Sequence, residues 1–224
     1  MLSPLVRPPG LITGDRMNVK EFLRRWEALP DVKNAELIDG VVYVPSPVSL
    51  EHGTLDSLIH LWLGYYAQAT PGCRAGNSST WLMQDSAPQP DAFLRILPSH
   101  GGQSGNKRQY AAGAPELAVE ICLSSTDVDF GPKPALYQRA GVREYITVEL
   151  VGQRIVWRMF ENGVYVAQKD PADGILRSQI FLGLWLDTAA LWDDDGAKVL
   201  GGLNAGLASE GHRRFVEQLA AASR

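Results

Sequence analysis

Three residue types, close together along the chain, suit one reaction. Pro115-Glu116-Leu117-Ala118-Val119-Glu120-Ile121-Cys122 is an apolar, β-prone run interrupted by a carboxylate at Glu120. A carboxylate inside such a run is costly to bury unless something cationic receives it. Asp91, in Gln89-Pro90-Asp91, opens a second apolar segment, Ala92-Phe93-Leu94, and Lys133 lies just beyond the Glu120 strand. Two carboxylates can hold a hard divalent cation, and a lysine can stabilise charge or orient an attacking water. Asp, Glu and Lys on neighbouring elements are therefore the equipment of Mg²⁺-dependent phosphodiester hydrolysis. Alternation along the strand sends Leu117, Val119 and Ile121 to one face and Ala118, Glu120 and Cys122 to the other. The Glu120 carboxylate thus emerges between two small side chains, with room for a cation. The plainer alternative has Asp91 capping a turn and Glu120 forming a structural ion pair.

The elements that must position these residues follow from pattern. Asn18 with Glu21 three residues on signals a helix start, and Val19, Phe22, Leu23 and Trp26 follow at helical spacing until Pro30. Two β-prone runs around Asp39-Gly40 give a hairpin signal; a two-residue loop pairs Ile38 with Val41 and sets Glu36 opposite Tyr43, on a strand. A long helix is expected over 50–69, with Leu55, Leu58, Ile59, Trp62 and Tyr66 on one stripe, ended by Pro71-Gly72. Residues 78–83 read as a short strand, 91–97 as another, and 98–106 as a Gly/Ser loop. After the Glu120 strand come a helix over 129–140 closed by Gly141, strands over 143–150, 154–160 and 164–168, and a terminal helix over 212–222. The first 17 residues read as a flexible leader, 18–192 as one domain, and 193–224 as a turn and helix belonging to it. Strands and helices alternate without a regular βαβ rhythm, so the expected class is α/β (α+β), a mixed central sheet flanked by helices.

Composition narrows the partners. At 224 residues one domain with a sizeable core is expected, and 45% hydrophobic with 21% charged residues is ordinary for a globular protein. A net charge of −4 argues against strong nonspecific nucleic-acid binding, yet leaves a nuclease open because acidic metal ligands contribute to that count. Two cysteines, Cys73 and Cys122, make no disulfide framework, and a reduced, cytoplasmic setting is expected. No run is long enough to cross a membrane, and the leader lacks a signal-peptide core. Ser124-Ser125-Thr126 lacks a G-x-S-x-G context, and residues 102–107 lack phosphate-loop spacing. His60, His100 and His212 have no partners at metal-ligand spacing and read as ordinary surface or core residues.

Taken as a set, Ala35-Glu36-Leu37-Ile38-Asp39-Gly40, Gln89-Pro90-Asp91, Gly113-Ala114-Pro115-Glu116-Leu117-Ala118-Val119-Glu120 and Gly141-Val142-Arg143-Glu144-Tyr145 resemble the Uma-two putative restriction endonuclease family. That family is similar in fold to the wider PD-(D/E)xK nucleases, and the resemblance runs from about Asn18 to Leu186. It implies a restriction-endonuclease-like sheet, with Asp91 and Glu120 as metal ligands, Glu36 as a further acidic site residue and Lys133 as the catalytic lysine. The usual nuclease pattern has its lysine two residues after the glutamate, where this chain has Cys122. In this family it appears on the following helix, in a D-x-x-x-K spacing that Asp129 and Lys133 match. A long flexible ammonium can reach a scissile phosphate from either element. His52 falls where the family often carries a histidine, and with Tyr137, one helical turn beyond Lys133, it is a candidate substrate contact. A helix-start polar residue is the plainer account of His52, and helix packing that of Tyr137.

The function expected from this reading is a Mg²⁺-dependent DNA endonuclease, with Mn²⁺ as a possible substitute. It is expected to be a homodimer, by analogy with nucleases that use two sites for two strands. The alternative of another class is a degenerate nuclease fold kept as a non-catalytic DNA-binding or protein-interaction module.

Overall fold

The computed structural model describes residues 10–45, 47–123 and 131–223. The expected leader up to residue 9, Ser124-Ser125-Thr126 and Asp129 lie outside them. Helix α1 (Val19–Glu27) starts where the Asn18 side chain accepts the Glu21 N–H, and it buries Phe22. Strands β1 (Glu36–Ile38) and β2 (Val41–Tyr43) form the expected hairpin, with Glu36 opposite Tyr43 and Ile38 opposite Val41. Its turn residues Asp39 (φ 50°) and Gly40 (φ 75°) are both left-handed, as a two-residue turn matched to strand twist requires. Residues 10–17 differ from the expected leader. Arg16 bridges Val41, the Gly14 N–H donates to the Val42 carbonyl at 2.9 Å, and Leu11 is buried. The open edge of β2 offers main-chain partners that composition alone does not reveal.

Helix α2 (Leu50–Ala69) is capped by Ser49 and buries the whole expected stripe, each large side chain contributing roughly 1.5–3 kcal/mol. Strand β3 (Cys73–Asn77) follows, then β4 (Trp81–Leu82), shorter than the 78–83 expectation, and β5 (Ala92–Ile96). The 98–106 segment is more ordered than expected: a 3₁₀ turn at Pro98–His100 leads into β6 (Gly105–Lys107), which pairs with β7 (Tyr110–Ala112). Strand β8 (Leu117–Cys122) is buried throughout, and α3 (Pro132–Ala140) closes at Gly141 (φ 84°). Strands β9 (Glu144–Glu149), β10 (Arg154–Glu161), β11 (Val164–Ala167), β12 (Ile175–Arg177) and β13 (Trp185–Asp187) follow. Helices α4 (Thr188–Trp192), α5 (Gly196–Leu207) and α6 (Glu210–Ala222) end the chain. Helix α5 lies where a turn was expected ahead of the terminal helix, and Asp195 caps it by accepting the Lys198 N–H.

The main sheet has the order β11-β10-β9-β8-β5-β3. Only the central β8–β9 pair is parallel, with α3 as its crossover; the other pairs are antiparallel, so the sheet is mixed. Leu117, Val119 and Ile121 pack under α2, in the core cluster that α5 and α6 also join, whereas Ala118 joins Phe93, Tyr145 and the α3 residues Leu136 and Tyr137 on the other face. A third cluster joins α1 to the hairpin through Phe22, Leu37 and Val42. Among the described residues no helix is long and apolar enough to cross a membrane.

Glu144, at the start of β9, is fully buried. Its carboxyl meets the Ser178 hydroxyl at 2.8 Å and the N–H groups of Gln179 and Ile180 at 2.8 and 3.0 Å. Burial still dominates these donors and pushes the carboxyl from 4.5 up to about 7. The sign follows. The folded chain holds this proton more tightly than the unfolded one, so the contribution is full below pH 4.5 and is lost as pH rises through about 7. Between pH 5 and 8 the parent should lose roughly 2–3 kcal/mol more stability than Glu144→Gln, whose amide does not titrate. Urea unfolding of both chains at the two pH values checks this; parallel losses would refute it.

Candidate active site

Helix α3 brings two side chains to one carboxylate. Pro132 and Pro134 both fall in its first turn, where main-chain N–H groups have no intrahelical partner and proline forfeits nothing. Lys133 and Tyr137, four residues apart, then share the face turned toward β8. Lys133 Nζ lies 2.9 Å from Glu120 Oε2 and 3.1 Å from Glu36 Oε1, and the Tyr137 hydroxyl donates to Glu120 Oε1 at 2.6 Å. Burial, followed by the neighbouring Glu120 charge, raises the Tyr137 pKa well above its usual value, so the hydroxyl stays a donor. Glu120 and Lys133 are 1% and 3% exposed, which puts the ion pair in surroundings that screen charge poorly.

Glu36 is held from β1 by the Gln89 N–H, which donates to its Oε1 at 2.6 Å. Asp91 precedes β5, and its Oδ2 accepts the Ile121 N–H at 2.7 Å. His52, in the first turn of α2, has Nε2 at 3.0 Å from the Ile121 carbonyl and 3.9 Å from Asp91 Oδ2. Glu36, His52, Asp91, Glu120 and Lys133 line one cleft of about 730 Å³. Cys122 also lines it, and its buried thiol donates to the Val148 carbonyl at 3.7 Å.

The residues singled out from the sequence therefore converge. Glu36, Glu120, Lys133 and Tyr137 form one hydrogen-bonded and ion-paired group, and Asp91 and His52 stand at the neighbouring strand ends. Tyr137, a candidate substrate contact, has no exposed surface and directs its hydroxyl to Glu120. Sequence reading missed Gln89 as the anchor of Glu36. It also missed His60, whose Nε2 lies 3.0 Å from the Asp91 carbonyl. The signal for His60 was present in the four-residue spacing of His52, Asp56 and His60 along α2.

The family model described as "Uma2: Putative restriction endonuclease" matches residues 19–189 of this sequence. The chain belongs to the Uma2 family. The Uma2 match stops ahead of α5 and α6, although Val199, Leu203, Phe215 and Leu219 from those helices sit in the main core. The fold of this Uma2 chain is similar to the crystal structure of a putative nuclease belonging to DUF820 from Anabaena variabilis ATCC 29413. The TM-score is 0.62, covering 80% of this chain and 98% of that one at 15% sequence identity. No curated protein matches the chain.

Proposed function

We propose that this Uma2 chain is a divalent-cation-dependent endodeoxyribonuclease that hydrolyses phosphodiester bonds, with Mg²⁺ as the working ion and Mn²⁺ as a substitute. One observation carries the reading: a lysine from the helix after β8 stands 2.9 Å from Glu120 and 3.1 Å from Glu36, in the cleft that Asp91 lines. Asp91 and Glu120 are the cation ligands in this reading. Their oxygens are hard donors, and both residues line the cleft. Among the described residues no group of three or more His, Cys, Asp or Glu side chains could hold a metal. Mg²⁺ takes one or two carboxylates and fills its octahedron with waters and phosphate oxygens, so a pair of carboxylates is enough in this reading. When bound, the cation supplies Lewis-acid polarisation of a phosphoryl oxygen.

The chain's own groups do the rest. Lys133 presents a fixed positive charge to a phosphate entering beside the carboxylates, where low exposure keeps that charge effective. Glu36, steadied by the Gln89 N–H, can accept a proton from the attacking water. Tyr137 orients Glu120 from inside, and His52 is the candidate contact at the wall of the cleft.

A second reading, a nuclease fold retained as a non-catalytic DNA-binding or protein-interaction module, is favoured by one feature. Both Glu120 oxygens already meet partners within the protein, Lys133 and Tyr137. Supercoiled plasmid separates the two readings. The enzyme reading expects nicking with Mg²⁺ or Mn²⁺, blocked by chelator, and a calorimetric Mn²⁺ isotherm that disappears in Asp91→Asn and in Glu120→Gln. A parent chain that leaves plasmid intact with either ion and takes up neither overturns it in favour of the module.

A further inference from the structure

His52, Asp56 and His60 recur at every fourth residue of α2 and so lie along one stripe of the helix. That stripe faces the main chain beside the two carboxylates. The β5–β8 ladder runs through Leu94–Leu117 and Phe93–Ala118 and reaches its last pair at Ala92–Val119. Asp91 and Glu120 therefore stand one residue past the end of that ladder, where paired main chain no longer fixes β5 against β8, although β8 itself runs on beside β9 through Glu120–Thr147 and Ile121–Val148. Other bonds take over at this point. His60 Nε2 lies 3.0 Å from the Asp91 carbonyl oxygen, and His52 Nε2 lies 3.0 Å from that of Ile121. Asp91 Oδ2 closes the circuit by accepting the Ile121 N–H at 2.7 Å.

A carbonyl oxygen only accepts, so each ring nitrogen facing one must carry its proton. For His60 the chain supplies a reason. Asp56 Oδ1 lies 3.4 Å from His60 Nε2 and is buried without a hydrogen bond of its own. A lone pair on Nε2 would be repelled by that oxygen, whereas an N–H is attracted, so Asp56 selects the Nε2–H tautomer that the Asp91 carbonyl needs.

We infer that His60, set in its tautomer by Asp56, acts with His52 as a positioning device that holds the entry to β5 against β8, beyond their last main-chain pair, in the register where Asp91 and Glu120 share one cation. The inference rests on those two carboxylates being the cation ligands. Sites of this kind need their groups held to about 0.5 Å, and supporting hydrogen bonds supply that precision.

Mn²⁺ calorimetry on the full chain tests it, together with ¹⁵N–¹H spectra of the histidine rings. His60→Leu should weaken Mn²⁺ binding by roughly 10–100-fold, the usual loss for a partner supporting a metal ligand. His60→Gln, whose amide can still donate to the Asp91 carbonyl, should recover most of that loss. The parent spectrum should place the His60 proton on Nε2, and Asp56→Asn should shift it toward Nδ1. A folded His60→Leu with a parent-like isotherm overturns the inference, as does a parent His60 protonated on Nδ1 alone. A parent that binds no Mn²⁺ overturns the cation reading and this inference together. A parent that binds Mn²⁺ no better than His60→Leu overturns the positioning role alone.

Discussion

Lys133→Met is expected to lose about 10²-fold or more in plasmid cleavage and ~3–5 kcal/mol of folding stability. The two losses have different origins. The lysine side chain is 4% exposed, and its partners Glu120 and Glu36 are 1% and 13% exposed. Removing the ammonium strands a buried carboxylate, and breaking a buried pair from one side is what makes such substitutions severe. Glu120→Gln in the same chain removes the stranded charge, while the Tyr137 hydroxyl can still donate to the amide oxygen. The double variant should therefore regain most of the stability and none of the cleavage. Lys133→Arg keeps a charge but presents a flat fork where a point charge fits, so partial cleavage is expected. Urea unfolding and single-turnover nicking under conditions where every variant is folded measure the two effects. Parent-like cutting by Lys133→Met would remove the lysine from the mechanism. A double variant no more stable than Lys133→Met would show that packing, rather than the stranded charge, sets the loss.

The second large effect is expected at Glu116, four residues before Glu120. Glu116 is fully buried, and its two oxygens accept the Ile96 N–H at 2.8 Å and the Gln103 N–H at 2.9 Å. It clamps the end of β5 to the loop that follows. Glu116→Ala leaves the buried Ile96 N–H and the part-buried Gln103 N–H without their acceptors, and a space behind them. At about 1–3 kcal/mol for an unmet buried group and less for the part-buried one, a loss of ~2–4 kcal/mol is expected. Glu116→Gln keeps one acceptor and should cost about half as much. The clamp lies at the opposite end of β5 from Asp91, so Mn²⁺ binding by the folded variant should match the parent. Chemical denaturation beside calorimetry distinguishes the outcomes. A Glu116→Ala chain as stable as the parent would mean that water, rather than the carboxylate, satisfies those N–H groups.

Glu116 and Glu120 also mark how far the sequence could be read. Both are glutamates in one apolar run, and the alternation that put Glu120 on a small-residue face applies equally to Glu116. What separates them is which element crosses above each: a returning loop for Glu116, and α3 with its lysine for Glu120. No local pattern encodes that. Elements with strong local signals were legible, as with the Asn18 cap, the Asp39-Gly40 turn, the α2 stripe and the Gly141 stop. Strand β3 was not, because Cys-Arg-Ala-Gly-Asn has no β-branched residue and owes its form to pairing with β5. Its glycine has a tertiary purpose: a Cβ on Gly76 would sit 2.4 Å from the Phe93 ring across the pair. Helix α5 was hidden in the same way, since Gly196, Gly201, Gly202 and Gly206 lower its helix propensity. A Cβ on Gly206 would lie 2.2 Å from the Gly183 carbonyl oxygen, so close approach to a neighbouring turn outweighs propensity there. The candidate site was legible as residue types, and its wiring through Gln89, Asp56 and His60 was not.

The side chains of the cleft come from separate parts of the chain: Glu36 from β1, His52 from α2, Asp91 from the entry to β5, Glu120 from β8 and Lys133 from α3. Only Glu120 and Lys133 are near neighbours in sequence, joined through the β8–α3 connection. A chain caught midway through folding, or clipped by a protease, can keep that pair and still lack the opposing carboxylates. The proposed site, drawn from five separate elements, is therefore complete only in the fully folded chain, and cleavage should fall with the folded fraction rather than survive in fragments.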